Sequence, residues 1–143
     1  MKAAWALSIL FLLTLITSCS SSADDPSYPI YSWGHFDGQC GFSRTIDAQG
    51  TLENALVCAS GDPQITQLGQ LSTLELRRLS DAFASLPAPA DVTDCPALSQ
   101  QTFAEQTAAD AYTIWKACAD NEALYSTEGL KEPYLSVAQF FLE

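Results

Sequence analysis

The feature that most constrains this chain is a turn with a cysteine on either side of it at equal distance. Asp47-Ala48-Gln49-Gly50 has aspartate first and glycine fourth, the chemistry of a type I turn closed by a left-handed glycine. The flanking stretches, Cys40 to Ile46 and Thr51 to Ala59, read as strands, and Ile30 to Phe36 reads as another, set off by Gly38. Pairing Asp47 with Thr51 fixes the register, because 47 and 51 sum to 98 and every opposed pair then does the same. Cys40 falls opposite Cys58. Directly opposed cysteines on antiparallel strands lie within reach of a disulfide, so turn chemistry and cysteine spacing predict one hairpin and one bridge.

Residues 1–18 read as an export signal: a single cation at Lys2, a mainly apolar run from Ala3 to Leu13, and small residues just before Cys19. The apolar stretch through Ile16 is short of the roughly 20 residues a membrane-crossing helix needs. Ile16-Thr17-Ser18-Cys19 resembles the lipobox of bacterial lipoproteins. The resemblance implies that Cys19 becomes the acylated first residue of the mature protein, a lipid anchor with palmitate among its chains. Several acyl chains, each buried methylene contributing about 0.8 kcal/mol, hold a domain to a membrane firmly. Ser20, not an acidic residue, follows the cysteine. In lipoproteins of this kind that implies the periplasmic face of the outer membrane. Residues 19–29, with Ser20-Ser21-Ser22, Asp24-Asp25 and two prolines, read as the lipidated tether.

What remains, residues 30–143, is expected to be a single domain; 125 residues follow the signal, enough for one core. Taking Lys2 away leaves five basic residues against seventeen acidic ones, a formal charge of −12. Such a surface repels phosphate backbones, which argues against nucleic-acid binding and suits a cationic partner. Beyond Cys19 there are four cysteines, Cys40, Cys58, Cys95 and Cys118, an even number in an exported chain. With Cys40 and Cys58 bridged, Cys95 is expected to pair with Cys118. The spacings match no zinc pattern, so no metal and no cofactor is expected.

After Gly61-Asp62-Pro63 a loop is expected to lead into a helix. Ser72-Thr73-Leu74-Glu75 is a capping box, and Leu76, Leu79, Phe83 and Leu86 recur at helical steps until Pro87. Residues 99–119 fit two readings: alternation around Tyr112 to Ala117 suits a strand with Gln101 to Gln106 as its mate, while four alanines suit a helix and no glycine marks a turn. We adopt strands. Glu132-Pro133 opens a short closing helix with Tyr134, Val137, Phe140 and Phe141 on its buried side. The expected class is α+β: a small antiparallel sheet, a capped amphipathic helix, a short C-terminal helix and two disulfides.

The sequence offers little catalytic chemistry. His35 is the single histidine, and Asp37, two residues on, could orient it, but no nucleophile elbow or reactive cysteine context accompanies it. On a regular strand Tyr31, Trp33 and His35 share one face, expected to be core; a sugar- or peptide-binding platform would need that face exposed. No catalytic residue is assigned. The leading expectation is a membrane-anchored envelope lipoprotein that binds a basic envelope protein or a cell-wall ligand, for example as an inhibitor or immunity-type module. The alternatives are a carboxylate-dependent envelope hydrolase and a structural lipoprotein without a discrete ligand. The chain resembles small uncharacterised envelope lipoproteins in layout only, and that resemblance assigns no residue a role.

Overall fold

The computed structural model describes residues 27–36, 38–90, 95–96, 99–119 and 126–142. The expected signal 1–18, Cys19, most of the tether and Asp37 lie outside them. Six strands, β1 (Ile30–Phe36), β2 (Cys40–Ile46), β3 (Thr51–Cys58), β4 (Gln64–Gln70), β5 (Gln100–Ala108) and β6 (Ala111–Cys118), form one antiparallel sheet in the order β4-β3-β2-β1-β5-β6. Helix α1 (Thr73–Ala84) joins β4 to the segment before β5. Helix α2 (Tyr134–Ala138) runs into a single 3-10 turn at Gln139–Phe141. The sheet so dominates that the expected α+β label fits only loosely.

The β2–β3 hairpin has the register that its turn predicts. Cys40 opposes Cys58 and Ile46 opposes Leu52. Asp47 Oδ1 accepts from the amides of Gln49 and Thr51, both at 2.9 Å, and the Asp47 amide donates to the Thr51 carbonyl at 3.2 Å. Gly50 has φ +89°, and a Cβ there would come within 2.5 Å of the Leu71 carbonyl oxygen, so only glycine fits. β3 ends at Cys58, one residue short of its expected end at Ala59, although the Ala59 amide still donates to the Gln39 carbonyl.

β4 corrects the expectation of a loop between Pro63 and the helix. Its register shifts between Leu52 and Glu53 of β3, which face Gly69 and Gln67, so Leu68 is the extra residue of a bulge. That bulge removes the alternation by which a strand is recognised in sequence. Residues 99–119 form the β5–β6 hairpin, so the helical alternative does not hold.

Pairing puts opposed residues on the same face of the sheet. One row runs Arg44, Trp33, Phe103, Trp115, and the next includes Ile46, Tyr31 and Leu52. Onto this face α1 brings Leu79 and Phe83, and the closing helix and turn bring Val137, Ala138 and Phe141, all buried. Phe83 sits against Tyr31 (ring centroids 4.7 Å apart) and edge-on to Trp115 (5.8 Å). The capping box of α1 is complete: the Glu75 amide donates to Ser72 Oγ at 3.3 Å, and the Ser72 amide donates to the Glu75 carboxylate at 2.7 Å. That hydrogen bond holds the Glu75 carboxyl below the usual glutamate range. Arg44 Nη1 donates to the Phe141 carbonyl at 2.8 Å, tying the closing turn to β2.

Candidate binding surface

The described residues that sequence reasoning weighed most closely for chemistry, His35 with Tyr31 and Trp33, are packed inside. Tyr31, Trp33 and His35 do share a face, and it is the core face; His35 is 8% exposed, with Nδ1 3.3 Å from the Gln100 carbonyl oxygen. The Trp33 indole N–H donates to Gln101 Oε1 at 2.7 Å, and the Gln101 amide donates on to the Ser126 carbonyl at 2.7 Å. This buried relay satisfies polar groups that would otherwise be costly to desolvate. Burial also pushes the Tyr31 and Tyr134 phenols up. Two carboxylates serve as helix supports: Glu75 in its capping box, and Glu132 accepting from the Ser136 amide and hydroxyl at 3.1 and 2.6 Å. Among the described residues no three His, Cys, Asp or Glu side chains are grouped as a metal ion would require, and no helix is long and apolar enough to cross a membrane.

The four cysteines pair as expected. Cys40–Cys58 staples the open end of the β2–β3 hairpin with Cα atoms 4.0 Å apart, and Cys95–Cys118 joins the segment before β5 to the end of β6 with Cα atoms 6.0 Å apart. The two bridges sit in different surroundings. Cys118 follows the buried Trp115 and Ala117, whereas Cys58 follows Val57, which is 49% exposed.

The exposed surface that stands out is the β3–β4 end of the sheet. Gln64, Ile65, Thr66 and Gln67 are all exposed, so this stretch of β4 is bare on both faces, and among the described residues Ile65 at 65% and Tyr112 on β6 at 63% are the most exposed large apolar side chains. Val57 and Ile65 lie on the face away from the helices; Thr66 and Gln64 lie on the other, opposite Asn54 and Leu56. Where β4 meets α1, a groove of about 500 Å³ opens between Leu68, Leu71, Arg78, Phe140 and Leu142. Sequence reading missed this surface because it took β4 for a loop. The signal present was the uncharged Gln64–Gln70 stretch with β-branched Ile65 and Thr66.

A second groove of about 460 Å³ runs beside β6 and includes Lys116, Lys131 and Tyr134 with Pro87 and Ala88. The Trp115 indole N–H donates to the Pro87 carbonyl at 2.7 Å, so residues after α1 lie against β6. The described acids are spread over many elements: Asp47 and Asp110 at turns, Asp62 before β4, Glu53 on β3, Glu75 and Asp81 on α1, Glu105 on β5, and Glu128 and Glu132 before α2. Compared with known proteins, the chain matches no family model and no curated protein.

Proposed function

We propose that this protein is a lipid-anchored bacterial envelope lipoprotein whose folded part is a non-catalytic binding module, engaging a basic protein partner through the β3–β4 end of its sheet. The observation that carries this reading is the pair of bare faces on β4, an uncharged edge strand with Ile65 exposed on the same face as Val57, since proteins rarely leave a sheet edge uncharged and uncovered unless a partner pairs with it. The charge of −11 supports a basic partner, drawn in by long-range attraction. The anchor at Cys19 and the outer-membrane address rest on the lipobox resemblance. His35, held in the core, has no role in the proposed contact.

The test uses the whole protein purified from membranes and incubated with envelope extract at low and high salt. Bound protein should fall steeply as salt rises, because steering charges govern encounter. His35→Gln should bind as the parent does, and Cys19→Ser should leave the membrane fraction while keeping its partner. Reproducible turnover of a wall, ester or peptide substrate that a single carboxylate substitution eliminates would overturn this reading.

A further inference from the structure

We infer that the outer edge of β4 takes a partner segment as a seventh strand, and that this segment is extended, uncharged and β-forming with basic flanks. The inference deepens the binding-module reading and rests on it. Ladder alternation identifies the groups on offer. The Asp47 amide donates to the Thr51 carbonyl, so Asp47 and Thr51 are a hydrogen-bonded pair. Along β3 the backbone groups of Thr51, Glu53, Ala55 and Val57 therefore face β2, and those of Leu52, Asn54 and Leu56 face β4. Asn54 stands opposite Thr66 and Leu56 opposite Gln64. On β4, then, Gln64 and Thr66 turn their backbone groups to β3, while Ile65 and Gln67 point theirs out of the sheet.

Those two residues present two donors and two acceptors on a strand exposed on both faces, the arrangement by which sheet edges capture extended peptides. Lysine and proline are the common means of repelling an incoming strand, and Gln64–Gln70 contains neither. The bulge at Leu68 ends the regular stretch after Gln67, so the ladder on offer is short, which suits one captured segment and discourages open-ended sheet growth. The opposite edge, β6, is also exposed over Ala111–Ile114, but it carries Lys116, whose charge repels basic flanks. A second copy of this chain would bring another −11 to the contact, whereas basic flanks reverse the sign.

The test applies a labelled nine-residue peptide, five alternating threonines and valines between paired lysines, to the full chain in detergent micelles. Two control peptides carry glutamates in place of the lysines, or a central proline. Anisotropy should detect the lysine-flanked peptide, with either control at least about tenfold weaker, and amide exchange should slow at Ile65 and Gln67. Ile65→Pro removes only an outward N–H, which the β3–β4 ladder does not use, so it should keep the parent's stability and lose the peptide. Absence of binding by the lysine-flanked peptide, equal binding of the proline peptide, protection on β6, or peptide-independent dimers protected at β4 would each overturn the inference. If envelope extract yields a partner whose capture ignores Ile65→Pro, strand addition falls and the binding module stands. If the intact protein captures nothing, the functional reading itself falls.

Discussion

Trp33 on β1 is fully buried, and Thr66, three strands away on β4 in the same cross-strand row and on the same face, is exposed. Between them the sheet passes from under its helices into water, and the means of holding it changes. At the β1–β5–β6 end, Trp33 stacks on Phe103 and meets Phe141, while Phe83 packs on Tyr31 and Trp115, so burial of aromatic surface supplies the stability. At the β3–β4 end few side chains are covered, and the Cys40–Cys58 bridge and the Asp47–Gly50 turn restrain the hairpin. A cross-link stabilises without needing a covering layer. That is how a strand can stay both ordered and available.

The largest expected effect lies at the packed end. Trp33→Ala should lower unfolding free energy in urea by about 3–5 kcal/mol, from the cavity and from leaving Gln101 without its indole donor. A loss below about 1 kcal/mol, the size of an ordinary surface change, would mean that this end is not the core and would erase the contrast.

Replacing both Cys40 and Cys58 with serine should come next, at about 3 kcal/mol for a bridge closing 18 residues in the chain-entropy model. Its location matters more than its size. Amide exchange should quicken across β3 and β4 while β5 and β6 keep their protection. The companion change at Cys95 and Cys118, 23 residues apart, should loosen the segment before β5 and the end of β6. Uniform loosening of the whole sheet in the first variant would show that the two ends are one cooperative unit.

How legible each end was in the sequence follows from the same contrast. The β2–β3 register could be read from Asp47, Gly50 and two cysteines because turn geometry is local and a cross-strand bridge checks it. The helix was legible in Ser72, Glu75 and the Leu76–Leu79–Phe83 spacing for the same local reason. β4 was not, since Leu68 breaks the alternation and the glutamines give no apolar period. Its partner, β3, decides that it is a strand. The order that puts β1 between β2 and β5 is likewise set by non-local packing of Trp33 on Phe103, which no short window contains. The candidate surface inherits this obscurity, because it is an edge, and an edge exists only once the strand order is known.

The smallest expected effect tests the lid of the packed end. Ser72 and Glu75 cap α1 on the protein's surface, and Ser72→Ala should cost about 1 kcal/mol. Because its carboxyl is held below the usual range, Glu75 in the unfolded chain takes up a proton at higher pH than in the folded one. Its contribution is therefore complete above the ordinary glutamate value of about 4.3 and is lost as pH falls through the lower folded value. Urea unfolding of the parent and of Glu75→Gln, followed from pH 7 to pH 3, should show the parent's advantage constant down to that range and shrinking below it. Exchange in α1 should rise in step, with Leu79 and Phe83 losing protection before any residue of the stapled β2–β3 hairpin. An advantage unchanged at pH 3 would mean that the charged cap contributes nothing, and that α1 is held by its buried face alone.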